Sequence, residues 1–173
     1  MRKLNVFFDV DNTLIMWNGK LRNHVREVFE QLRESGHTIY VWSGVGIRRR
    51  EMERHDLDHF VEDYFLKPLD RHHERLEGLG VPMTPDFVID DHKGVVGAFT
   101  GFLVTEMPGP DDRELLDALI AIEEMALGDT EEPLSPDDVE LDDEPGSEPD
   151  SELDDEPDSE PDDEPGKASG ASG

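Results

Sequence analysis

A chain of 173 residues gives room for one ordinary domain of about 100–150 residues with an extension, and not for two. Its 16 Lys and Arg stand against 44 Asp and Glu, a net charge of −28, which excludes a general nucleic-acid or anionic-membrane binder while leaving a specific phosphorylated substrate open. The absence of cysteine removes disulfides, thiolate nucleophiles, cysteine-ligated zinc and iron–sulfur clusters together.

The N-terminus is basic for two residues and then runs into LNVFFDV (4–10), an apolar run that reads as a strand and is too short for a membrane span, which needs roughly 18 apolar residues. Two acids interrupt it at once, so no signal-peptide core forms, and the expected location is cytoplasmic. After a hairpin-sized stretch at 15–20, expected to form a flap carrying Trp17, residues 23–35 place Val25, Val28, Phe29 and Leu32 at the i, i+3, i+4, i+7 spacing of a helix. HTIYVWSG (37–44) is a second strand between Gly36 and Gly44. Residues 47–57 form a weaker helix, on which Arg48, Arg49 and Arg50 read as a solvated face beside Glu51 and Glu53. DYFLKP (63–68) is the third strand, and residues 70–80 a weak helix stopped at Gly78 or Gly80. DFVIDD (86–91) and GFLVTE (101–106) complete five strands. The last helix, 113–125, carries the stripe Leu115, Leu116, Leu119, Ile120 and is capped by Asp111 or Asp112.

Strands that are apolar throughout and alternate with helices imply a mainly parallel sheet covered on both faces. The expected fold is therefore a doubly wound, Rossmann-like α/β domain over residues 1–127. Residues 128–173 differ in kind. From 129 onward there are 20 acids and Lys167 alone, a charge of −19 against −9 for the remainder, and LDDEPGSEPDSE at 141–152 recurs as LDDEPDSEPDDE at 153–164, identical at 10 of 12 positions. One leucine per repeat cannot offset the entropy of ordering, so this segment reads as a disordered acidic tail whose only specific partner would be a basic one.

In doubly wound sheets ligands bind beyond the carboxyl ends of the strands, and polar residues gather at those ends here. The first strand ends in Asp9 and Asp11, whose spacing of two points both carboxylates one way from an extended chain. Ser43 and Gly44 follow the second strand, Lys67 the third, and Asp90 and Asp91 the fourth. Carboxylates suit a Mg²⁺ ion, and hydroxyl, backbone N–H and ammonium groups suit phosphate oxygens.

The order FFDVDNTL, VWSG, LKP, VIDD resembles the four motifs of the haloacid dehalogenase-like (HAD) superfamily, over residues 4–106 and onward to 125. The resemblance implies a Mg²⁺-dependent phosphatase that hydrolyses a phosphate monoester, with Asp9 as nucleophile and Asp11 as general acid and base. It implies that Thr13, Ser43, Gly44 and Lys67 hold the phosphoryl group, and that Asp9, Asp90, Asp91 and the Asp11 backbone carbonyl hold the metal. Residues 14–23 and 68–86 leave no room for the cap domain that many members insert, so an open site is expected, suited to a macromolecular substrate or to a small one enclosed by a neighbouring subunit. The alternative is a non-catalytic phospho-binding or scaffold module on the same fold. A two-component receiver domain fits poorly, because it expects its acceptor aspartate after the third strand, where Lys67 stands. Deleting residues 129–173 is expected to leave kcat on a small phosphate ester unchanged and to lower solubility. A salt-sensitive rise in kcat/KM on truncation contradicts a purely solubilising tail.

Overall fold

The computed structural model, which describes residues 1–128, buries the apolar runs at 5–9, 38–43 and 87–90 almost throughout and leaves those at 61–66 and 101–103 partly exposed, as edge strands are. The strands β1 (Asn5–Asp9), β2 (Thr38–Ser43), β3 (Val61–Leu66), β4 (Phe87–Asp90) and β5 (Gly101–Leu103) form one parallel sheet in the order β3-β2-β1-β4-β5. The chain builds outward from β1 through β2 to β3, then returns to β1's other side for β4 and β5. This reversal puts the ends of β1 and β4 side by side, with Phe8 paired to Ile89, and it is the crevice where such sheets bind ligands.

Helices α1 (Val25–Glu34) and α5 (Glu114–Gly128) cover one face. There Val6, Phe8, Val41 and Ile89 pack with Val28, Phe29, Leu32, Leu115 and Ile122. On the other face Phe7 lies with its ring centroid 4.8 Å from Tyr40 and 4.9 Å from Trp42. Helices α3 (His72–Arg75) and α4 (Lys93–Ala98) close that layer through Leu76, Val95 and Phe99. The short helix α2 (Arg49–Arg54) follows β2 and anchors itself by the buried Met52.

Several local expectations change. The helix expected over 70–80 is the single turn α3 followed by a 3-10 turn, Glu77–Leu79, and it is Gly80, at φ 76, that ends it. α4 is absent from the sequence reading because KGVVGA holds two glycines, each disfavoured in a helix. β5 stops at Leu103, short of the expected 106, and its start depends on a glycine: a Cβ on Gly101 would lie 2.3 Å from the Val88 carbonyl oxygen. Ile120 is exposed, and the buried stripe of α5 runs through Leu115, Ala118, Leu119, Ile122 and Ala126 instead. Of the two candidate caps, Asp112 accepts the Glu114 N–H, at 3.1 Å. No helix among the described residues is long and apolar enough to cross a membrane. The acidic repeats and the expected tail lie outside the described residues.

One buried cation ties the loop after β1 to α5. Arg22 contacts Asp112 at 2.6 Å and Glu114 at 2.7 Å, and donates to the Asn12 carbonyl at 3.1 Å. Removing it leaves two acids facing each other and a turn without its tether. Arg22→Met should therefore cost about 3 kcal/mol of stability in denaturant unfolding, and a cost within experimental error of zero would show that this network is dispensable.

Candidate active site

Strand register decides what meets at the rim. Asp9 ends β1 and Asp90 ends β4, and both carboxylates are buried, at 3% and 0% residue exposure. Lys67 is the first residue past β3, held against the end of β2 by its N–H bond to the Ser43 carbonyl, 3.0 Å. From there its ammonium reaches Asp9 Oδ1 at 2.7 Å and Asp90 Oδ2 and Oδ1 at 2.9 and 3.1 Å. Thr13 Oγ1 donates to Asp9 Oδ2 at 3.3 Å, and the His92 N–H donates to Asp90 Oδ1 at 2.9 Å. Asp9, Asp90 and Asp91 each offer one carboxylate oxygen within 4.8 Å of the others.

A second, more open group adjoins the first. The Asp11 carboxylate is outside that triad; it is gripped by Arg48 Nη2 at 2.6 Å and accepts the Ser43 hydroxyl at 3.3 Å. The tight turn that presents it sends the N–H groups of Thr13, Leu14 and Ile15 to the Val10 carbonyl and sets Asn12 at φ 60. Ser43 Oγ also accepts the Val45 N–H, at 3.2 Å. Gly44 lies against the loop after β3, where a Cβ would come 2.6 Å from Leu69 Cδ2. The structure thus gathers Asp9, Thr13, Lys67, Asp90 and Asp91 into one cluster, with Asp11 and Ser43 beside it.

Arg48 is the residue that the helix-face reading passed over. The three consecutive arginines do not act alike: Arg48 joins Asp11 and, at 3.5 Å, Glu51, whereas Arg49 pairs with Asp58 at 3.1 Å and stacks over Tyr64. Nothing in the local sequence pattern separates Arg48 from its two neighbours, because its partner Asp11 lies 37 residues away.

Burial pushes the Asp9 carboxyl up to about 7, and the neighbouring Asp90 charge adds to this, while Lys67 opposes both. Asp90 is raised for the same first reason, against Lys67 and the His92 N–H. For Lys67, burial favours the neutral amine, but Asp9 and Asp90 outweigh it and raise its pKa. Two carboxylates on one ammonium, with the Asp91 carboxylate within 4.8 Å of both, leave the cluster short of positive charge. An all-oxygen donor set of this kind fits a hard divalent cation such as Mg²⁺.

A carboxyl raised in the folded state takes up a proton on folding between its ordinary value, 3.8, and about 7, so its contribution to metal-free stability falls as pH rises through that window. The Tm difference between Asp9→Asn and the unaltered protein, both metal-free, should therefore grow in favour of the variant from pH 5 to pH 8. Added Mg²⁺ should raise the Tm of the unaltered protein more at pH 8 than at pH 5. A pH-independent Tm difference would contradict the upward shift of the Asp9 carboxyl by burial.

The chain matches no protein-family model and no curated protein. Among solved structures it is similar to an uncharacterized protein from Listeria monocytogenes serotype 4b, at 13% identity and a TM-score of 0.50, covering 69% of this chain and 97% of that one. It is also similar to the core domain of a candidate phosphoglycolate phosphatase from Streptococcus pneumoniae TIGR4, solved by NMR, at 14% identity and a TM-score of 0.47, covering 71% and 97%. At 13% identity the Listeria likeness establishes a shared α/β fold and nothing of the site.

Proposed function

We propose that the chain is a Mg²⁺-dependent phosphatase that hydrolyses a phosphate monoester through an aspartyl-phosphate on Asp9. The observation that carries this reading is the buried Lys67 bridging Asp9 and Asp90 at adjoining strand ends, 2.7 and 2.9 Å away. A structural salt bridge needs one carboxylate per lysine; a third, Asp91, within 4.8 Å suits a site that awaits a cation.

Asp9, Asp90 and Asp91 are the side chains that would hold Mg²⁺, with the Asp11 carbonyl. When bound, the ion offsets the repulsion between a carboxylate nucleophile and a phosphate dianion. An Asp9 oxygen attacks phosphorus, the ester P–O bond breaks, and the departing oxygen takes a proton from Asp11. Water then attacks the aspartyl-phosphate and gives its proton back to Asp11, releasing inorganic phosphate and restoring Asp9. Lys67, Thr13, Ser43 and the Gly44 N–H serve the phosphoryl oxygens. The hydrogen bond between Ser43 and Asp11 supports placing acid and phosphoryl ligand side by side.

No domain is inserted among the described residues: residues 14–24 form the hairpin and its return, and 68–86 hold α3 and a 3-10 turn. The site therefore opens directly onto the rim. On 4-nitrophenyl phosphate, activity should require Mg²⁺ and disappear in excess EDTA. Asp9→Asn should lower kcat on the order of 10³-fold or more while the protein remains folded by circular dichroism. Full turnover in EDTA, or a folded Asp9→Asn variant with most of its kcat, would sink the mechanism.

A further inference from the structure

Two cavities flank the hairpin that follows β1. The larger, about 300 Å³, lies between the hairpin and the loop before α5, among Met16, Trp17, Arg22 and Met107, and touches none of the site residues. The other, about 260 Å³, has Asp11 in its wall and runs out between the hairpin and α2, with Trp17, Arg48, Arg54 and His55 around it. Asp11, the proposed acid, stands in the wall of this second space, which makes it the cavity open to a group departing toward that acid.

Its two walls are built differently. On the hairpin side, Trp17 is 81% exposed, and the turn that carries it is braced by the Met16 N–H to Lys20 carbonyl and Gly19 N–H to Met16 carbonyl bonds, both 2.8 Å, and by the Ile15 to Leu21 bridge. The indole is thus held out in solvent by a fixed turn. An exposed indole on a braced support offers a large apolar plane at little entropic cost. On the helix side, Arg48, Glu51, Arg54 and His55 line one face of α2. Asp11 and Glu51 occupy Arg48, whose buried Nε still has no hydrogen-bond partner, whereas Arg54 has no acidic partner among the described residues. Arg48 is thus committed to two acids, and Arg54 is the guanidinium of this wall left without one among the described residues.

We propose that this cavity seats the leaving group of the substrate, and that it takes an alcohol with a planar aromatic ring for Trp17 and a second anionic group for Arg54, as in a nucleoside bisphosphate. The inference rests on the phosphatase reading and adds the substrate class. At about 260 Å³ the cavity falls just below the roughly 300–1,000 Å³ typical of ligand sites, which suits a single ring-bearing unit. The −28 charge of the chain disfavours a long polyanion.

The two tryptophans make the test direct, because Trp42 is 1% exposed and sealed beneath Phe7, so a change in indole emission on ligand binding reports Trp17. Adenosine 3′,5′-bisphosphate is titrated with Mg²⁺ into the Asp9→Asn protein, where turnover does not confuse the signal. Saturable quenching is expected, lost when Trp17→Phe is added, with Kd weakened about tenfold by Arg54→Ala. In the catalytically intact protein, Trp17→Ala should lower the ratio of kcat/KM for the bisphosphate to that for acetyl phosphate, which has no ring, about tenfold. Absence of quenching, an unchanged ratio, or tighter binding of a 5′-phosphorylated oligonucleotide than of the bisphosphate overturns the proposal. Trp17-dependent binding without any turnover would leave the site standing and defeat the phosphatase reading. Turnover of acetyl phosphate with no Trp17 or Arg54 dependence toward the bisphosphate would do the reverse.

Discussion

Lys67 occupies a position that is costly for a lysine. Its ammonium is withdrawn from water and held by two carboxylates that are more deeply buried still, 2.7 and 2.9 Å away. None of the three charges is tenable alone: burial lowers the lysine and raises both acids, and only their mutual contact keeps the pair interactions favourable. Much of the architecture follows from this requirement. β1 and β4 must be adjacent and end level, β3 must end near enough for a four-carbon stem to reach across the end of β2, and all three must run the same way. A doubly wound parallel sheet with its reversal between β1 and β4 satisfies these conditions.

The same reversal explains why the chemistry gathers where the chain is least regular. Beyond the strand ends the backbone turns sharply, sending three N–H groups to the Val10 carbonyl, and this turn both presents Asp11 and launches the hairpin that carries Trp17. Arg22 fixes the turn from behind by joining the Asn12 carbonyl to the start of α5. Rigidity at the rim is therefore supplied by a buried ion network and not by an added domain. An open site of this kind leaves recognition to the loops themselves.

How much of this could be read from the chain depends on the kind of signal. Strands buried on both faces announce themselves as unbroken apolar runs, and each run ends where a polar residue cannot be buried unpaired, so Asp9, Ser43, Lys67 and Asp90 mark the rim in the sequence. Amphipathic α1 is equally plain, since Val25, Val28, Phe29 and Leu32 are all buried. α4 was hidden by Gly94 and Gly97, because tertiary packing of Val95 overrides their poor propensity. Ile120 misleads because adjacent apolar positions on α5 leave the buried face ambiguous until the sheet is in place. The pairing of Arg48 with Asp11 is a long-range contact between two loops, and local pattern carries no information about it. The exposure of Trp17 depends on which way a hairpin turns, which sequence alone leaves open.

The central claim is that a carboxylate kept ionised with difficulty in a buried cluster is the group that attacks phosphorus. It is tested most directly by quenching the Mg²⁺-supplemented protein during steady turnover of 4-nitrophenyl phosphate and reducing it with borohydride, which converts an aspartyl-phosphate to homoserine. Peptide mass spectrometry should then place homoserine at position 9 and at no other aspartate. Continued turnover with no homoserine formed, or with homoserine at position 11 or 90, would contradict the account.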